Sequence, residues 1–324
     1  MTDQGSAPAA MRAAALALVA GLDEQQRAVV CLPFADTTTR HRFTYLPRPR
    51  PGVCLADLDR AGRKAAHRLL ATALSPSAYA QAVTVMALEE ILDRREGWRR
   101  GRHSSDFWVV VFGDPARDER WAWRWEGHHL SISLTIDGQE VFPTPLFLGA
   151  HPATVSVAGR PVIRPLGMEE DLARALMDAM GPVARSLAVV ADTAPPDIRS
   201  STRPLVADRI APLGVGAAQL DPVSRALLVQ LAAVYLGRLP DELAAREAAV
   251  LRGTELHFAW EGPLQPGCGH YYRVQGGDLL IEYDNTSNGA NHAHTVLRRR
   301  QRDFGGDVLA AHRAEEHAAC EGAG

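Results

Sequence analysis

Two blocks of strand-patterned sequence, at 105–142 and 255–298, lie more than a hundred residues apart in a chain of 324, and neither holds enough strand to build a sheet with both faces covered. The first block opens with Phe107 to Phe112 (FWVVVF), a β-branched and aromatic run closed by Gly113-Asp114-Pro115, which reads as a buried strand and a turn. Trp121, Trp123 and Trp125 follow at period two, then Gly127-His128-His129 and the alternating LSISLTI, ending at Asp137-Gly138, a pair that favours a tight turn. The second block offers Glu255 to Trp260, His270 to Val274, Leu279 to Asp284 and Asn291 to Arg298. Both blocks are therefore expected in one mixed or antiparallel sheet.

The intervening sequence has helical spacing. Asp57 to Leu74 and Ser77 to Arg95 carry apolar stripes separated by Ser75-Pro76, and Met168 to Met180, Ser224 to Arg238 and Pro240 to Leu251 read the same way. The prolines at 47, 49 and 51 make Phe34 to Pro51 extended, residues 143–167 read as a long irregular connection with short extended pieces, and Ala194 to Arg209 reads as a loop. The reading is an α+β fold: a sheet flanked by helices from about 10–95, 168–250 and 305–318, the last starting at Asp307. Elements do not recur at a fixed length, so neither a solenoid nor a regular βαβ series is expected. One domain over residues 20–313 is predicted, with 1–20 as a helical or disordered extension and 314–324 as a tail.

Composition narrows the class. Hydrophobic residues at 46% and charged residues at 23% exclude wholesale disorder, a collagen-like fibre and a coiled coil. A formal net charge of −3 gives no attraction to nucleic acid or to an anionic membrane, so a small molecule is the expected partner. Cys31, Cys54, Cys268 and Cys320 are too dispersed for a zinc ribbon or a disulfide framework, which suggests a reducing compartment. The Met11 to Leu22 run is too short to span a bilayer and weak as an export signal; a cytoplasmic location is expected.

Chemistry points to the histidines. On a strand, His292 and His294 project from one face with Cβ atoms ~6–7 Å apart, a chelating pair. By the same alternation His128 shares a face with Leu130, Ile132 and Leu134, and His129 with Ser131, Ser133 and Thr135, unless a bulge at Gly127 turns both inward. Glu282 and Asp284 are candidate metal ligands, orienting partners or bases, and His270-Tyr271-Tyr272-Arg273 offers a carboxylate-binding surface in which Tyr272 and Arg273 are the candidates. His257 reads as a strand histidine, and His103, His312 and His317 as helix-end residues. The Arg298-to-Arg302 run reads as a solvated salt-bridging face. The chain has no phosphate loop, dinucleotide fingerprint, Gly-x-Ser-x-Gly elbow or H-E-x-x-H helix.

The segments WAWRWEGHHLSISLTI, PTPLFLGAHPA and GHYYRVQGGDLLIEYDNTSNGANHAHTVLR resemble the bacterial family catalogued as domain of unknown function 3500, over about residues 20 to 313. The resemblance implies that Gly127-His128-His129, Tyr271-Tyr272-Arg273, Glu282 to Asn285, Asn291-His292-x-His294 and His312 are family signature positions, and it assigns them no role. Paired histidines on separate strands lead to the expectation of a transition metal held by His128, His129, His292 and His294. With copper or iron the chain would be an oxidoreductase acting on a small organic, acidic substrate steered by Arg273. With zinc it would be a hydrolase using Glu282 or Asp284 as base. Without metal it would be a ligand-binding protein.

Overall fold

Leu58-Asp59-x-x-x-Arg63 and Leu220-Asp221-x-x-x-Arg225 fold alike, and they expose the plan of the molecule. In each, the aspartate caps a helix by accepting the N–H of the residue three further on (Gly62 or Ser224), and the arginine donates back to carbonyls of the preceding turn. The computed structural model describes residues 6–99, 102–206 and 208–306. Its first unit runs α1 (Ala7–Ala20), α2 (Glu24–Val30), β1 (Cys31–Leu32), α3 (Thr37–Arg40), β2 (Val53–Cys54), α4 (Arg60–Ala73), α5 (Pro76–Arg95), β3 (Phe107–Phe112), β4 (Arg120–Gly127), β5 (Leu130–Asp137), β6 (Glu140–Phe142) and β7 (Leu146–Ala150). A separate hairpin, β8 (Val155–Val157) and β9 (Arg160–Ile163), precedes the second unit. That unit runs α6 (Gly167–Ala179), α7 (Pro182–Ala188), β10 (Val189–Ala191), β11 (Val215–Gly216), α8 (Pro222–Leu236), α9 (Asp241–Leu251), β12 (His257–Glu261), β13 (His270–Gly276), β14 (Leu279–Asn285) and β15 (Ala293–Arg299).

The fold is α+β, and the two strand blocks join in one thirteen-stranded mixed sheet along β1-β3-β4-β5-β7-β15-β14-β13-β12-β10, with β2, β6 and β11 at its sides. The join is the antiparallel pair β7–β15, where Leu146 faces Leu297. Going outward from that pair, Ile132, Trp125, Val109 and Val53 on one side match Ile281, Val274, Phe258 and Val215 on the other. This ten-residue row lies wholly in the core beneath the helices. Each buried side chain of this size is worth about 1.5–3 kcal/mol in transfer from water. The element order repeats once, with loops of unequal length and no fixed period, so the chain is neither a solenoid nor a regular βαβ series. The segment 143–167, expected as an irregular connection, holds the central strand β7.

The opposite sheet face is covered by two largely irregular straps, residues 33–52, where α3 interrupts the expected extended run, and residues 192–206 with 208–213. Irregular backbone brings unpaired carbonyls and amides, so this face carries buried polar side chains to meet them. Arg124 donates to the carbonyls of Thr39, Arg40 and Arg42, and its counterpart Arg273 donates to that of Pro212. Gln275 pairs with both backbone groups of Ile210. Where the straps cross the join, Phe43, Tyr45 and Ile198 pack on Phe147 and Val296. The Arg298-to-Arg302 run is corrected in part: it forms salt bridges, but Arg298 and Arg299 are buried, paired to Asp303 and to Glu247 and Asp278. The helix expected from Asp307, with His312 and His317, lies outside the described residues.

Candidate metal centre

Four histidines meet at one end of the β7–β15 join. The expected strand alternation at His128 and His129 is corrected, because Gly127 pairs with Leu130 and the two histidines form the turn between β4 and β5. His129 sits at φ 63°, a left-handed conformation uncommon outside glycine, and its N–H donates to the Tyr45 carbonyl at 3.1 Å. Its carbonyl accepts from Gly149 N at 2.7 Å, which ties the turn to β7. His151 follows β7 and stacks on His292, with ring centroids 4.2 Å apart. His294 lies on β15 opposite Gly149. A Cβ on Gly149 would come within 2.8 Å of the His129 ring and 3.0 Å of the His294 ring, so this glycine makes room for both imidazoles.

The Nε2 atoms converge. His292 Nε2 stands 2.9 Å from His129 Nε2 and 3.1 Å from His294 Nε2. Behind the rings are acceptors: His294 Nδ1 donates to Asp197 Oδ1 at 2.7 Å, and His292 Nδ1 donates to Asn288 Oδ1 at 2.9 Å. Those partners place the protons on Nδ1 and turn the Nε2 lone pairs toward one another. Burial first, and then the neighbouring imidazoles, holds His129 well below its ordinary value and brings His292 to about 3. Burial likewise brings His151 to about 4. These rings are neutral at neutral pH, as ligand imidazoles must be.

Carboxylates stand behind the imidazoles. Burial alone would raise Asp197, but hydrogen bonds from His294 and from Tyr45 Oη at 2.7 Å outweigh it and hold the carboxyl low. Asp284, opposite His294 across the strands, is pushed up by burial to about 7 and accepts from Thr286. Asp197, Asp284 and His294 have ligand atoms within 4.8 Å of one another, as do Glu89, His128 and His129. Glu89 Oε1 lies 2.5 Å from His128 Nδ1 and 3.9 Å from His129 Nδ1.

Of the residues singled out from sequence, His129, His292 and His294 form the focus, His128 flanks it through ring contact at 3.7 Å, and Asp284 stands beside His294. The others lie elsewhere. Tyr272 is under the helices, bonded to Tyr235 Oη and the Glu169 carbonyl. Arg273 is fully buried and paired with Glu261 beneath the second strap, and Glu282 accepts from Ser200 N and Tyr271 Oη. Sequence reasoning missed His151, Asp197, Glu89 and Tyr45. The His-Pro step within GAHPA is a local cue to His151, whereas Glu89 on α5 and Asp197 in a polar loop have none.

The second unit supplies an internal comparison. In the β13–β14 turn, Asp278 holds the place that His129 holds in the β4–β5 turn, and Glu247 approaches from α9 much as Glu89 does from α5. There Arg299 and Arg302 bridge Asp278 and Glu247, so the site carries its own cations. Among the described residues no guanidinium bonds an Nε2 of His129, His292 or His294.

Fold and site together define a duplicated α+β protein with a convergent imidazole centre at the join of its units. The chain belongs to the family described as "Protein of unknown function (DUF3500)", whose model matches residues 4–306. No curated protein and no solved structure matches it. No helix among the described residues is long and apolar enough to cross a membrane.

Two results are expected if the centre holds an ion. Asp197→Asn removes the charge that fixes the His294 tautomer, and metal affinity measured by competition with a chromogenic chelator should fall about 10–100-fold. Gly149→Ala should lower that affinity by at least as much while leaving the far-ultraviolet circular dichroism unchanged, since the added methyl meets chiefly two imidazoles, with the Ala293 carbonyl next at 3.2 Å.

Proposed function

We propose that this chain is a metal-dependent oxidoreductase whose copper or iron ion is held by His129, His292 and His294, with His151 beside them, and whose substrate is a small organic molecule. The reading rests on one observation: three imidazole Nε2 atoms lie within hydrogen-bond distance in a chain, with the Nδ1 atoms of His292 and His294 already bound to acceptors. Lone pairs facing at 2.9–3.1 Å repel unless protons or one shared cation lie between them, and imidazoles backed by acceptors are the arrangement that holds transition ions. A bound copper or iron supplies one-electron chemistry with oxygen. The protein's own part is to fix the ring orientations, through Asp197, Asn288 and Gly149, and to keep the imidazoles unprotonated.

Zinc hydrolysis has less support. A metal-bound water is best activated with a carboxylate beside it; Asp197 and Glu89 approach Nδ1 atoms and Glu282 is taken by Ser200 and Tyr271, which leaves Asp284, beside His294, as the one base the hydrolytic reading retains. Cys31, Cys54 and Cys268 are free thiols, which suits a reducing, cytoplasmic setting.

The test is elemental analysis of tag-free, chelator-washed protein, followed by oxygen uptake with ascorbate as a generic electron donor. About one copper or iron per chain with ascorbate-driven oxygen uptake is expected. Zinc alone, with no uptake after loading by copper or iron, would transfer the site to hydrolysis. No stoichiometric ion before or after reconstitution would leave a ligand-binding protein.

A further inference from the structure

A cavity of about 360 Å³ abuts the imidazole centre on the first unit, and Glu89 and His128 form its inner wall. That volume is at the low end for small-molecule sites, the size of an amino acid rather than a nucleotide. Its apolar lining is Pro47, Pro49 and the half-buried indole of Trp108. Four formal charges line it besides His128: Arg48, Arg102, Glu89 and Asp106. Two of them are already committed. Arg102 is within 3.6 Å of Glu89, is bonded to Glu96 and reaches His128, and Glu89 is bonded to His128. The other two are not: Arg48 is exposed with no ion pair among the described residues, and Asp106 accepts only the His103 N–H. The cavity thus offers one uncommitted cation, one uncommitted carboxylate and an aromatic wall.

From this we infer that the cavity binds a zwitterionic α-amino acid, or a ligand with the same paired charges, bearing an apolar or aromatic side chain. Arg48 takes the carboxylate as a two-pronged donor, Asp106 takes the ammonium, and Trp108 with the prolines takes the side chain. A purely anionic ligand would leave Asp106 facing its carboxylate, and a purely cationic one would leave Arg48 unanswered. The inference rests on the proposed oxidation only in calling the ligand a substrate. His128 separates the ligand from His129 by one ring, with centroids 3.7 Å apart.

Calorimetric titration with L-phenylalanine, 3-phenylpropionate and 2-phenylethylamine tests it, with the part of the tryptophan fluorescence change that is lost in Trp108→Leu as a second readout. L-phenylalanine should bind at least tenfold more tightly than either single-charge analogue. Arg48→Gln should weaken L-phenylalanine at least tenfold and leave 2-phenylethylamine unchanged, Asp106→Asn should do the converse for 3-phenylpropionate, and Trp108→Leu should weaken all three. Arg48 is exposed and Asp106 half-buried, and thermal midpoints equal to wild type establish that the variants fold. Equal binding of 3-phenylpropionate and L-phenylalanine, or binding indifferent to both variants, would overturn the inference, as would no binding at millimolar concentration. Repeating the titration on chelated protein and on His292→Ala/His294→Ala separates the two readings: binding that survives there upholds the cavity whatever becomes of the metal.

Discussion

His292→Ala/His294→Ala should lower metal affinity by more than about 10⁴-fold and abolish stoichiometric metal after a mild chelator wash. A four-ligand protein site binds its ion with roughly 10–16 kcal/mol, about 3 kcal/mol per ligand, so losing two of the three converging imidazoles removes on the order of 6 kcal/mol. The fold should tolerate the change, because His292 is half-buried at a loop end and the β15 register depends on backbone pairing and on Val296 and Leu297. Equal metal content in variant and wild type by elemental analysis, with unchanged circular dichroism, would refute the assignment.

Arg238→Met should cost about 3–5 kcal/mol of folding stability, read as a lower urea midpoint at unchanged slope. Arg238 donates to Glu169 Oε1 at 2.7 Å, both side chains are at or below 1% exposure, and the guanidinium lies over the Tyr235 ring. Removing the cation leaves a buried carboxylate whose remaining side-chain donor is Gln81 at 3.3 Å. The double variant Arg238→Met/Glu169→Leu should recover most of the loss, because burying an ion pair gains little over burying apolar groups. If the single variant costs under about 1 kcal/mol, the pair is wetter than its burial implies.

The sheet was legible because its signals are local. FWVVVF, the Trp-x-Trp-x-Trp period and LSISLTI each declare a strand without reference to the rest of the chain, and the shortage of strand in either block forced their union. Strand β7 was not legible: LFLGA sits among prolines, and only its partners on both sides make it the centre. The duplication escaped notice because what is retained is sparse, a capping Leu-Asp-x-x-x-Arg, the close-approach glycines Gly52 and Gly214, and the strap-binding Arg124 and Arg273. A Cβ at Gly52 or Gly214 would lie 2.2 or 2.1 Å from a strand carbonyl, which explains why these glycines mark both units.

At the site, His292 and His294 were legible from strand spacing. The partners of His129 were not, since Gly149 and His151 come from the end of a strand hidden among prolines and Glu89 from a helix. Arg273 and Glu282 attracted notice as charged residues on strands, the usual mark of a site. Here they answer a different demand, the hydrogen bonds of a strap that has no regular structure of its own.

The two units meet through β7 and β15, and the imidazole centre draws His129 and His151 from one unit and His292 and His294 from the other. An ion bound there is a rivet across the seam. Its binding energy adds to the cohesion of the two halves, by about 2.7 kcal/mol at a hundredfold excess over the dissociation constant. If the proposed ion is bound, a chelator would loosen the seam between the halves as well as stop the chemistry.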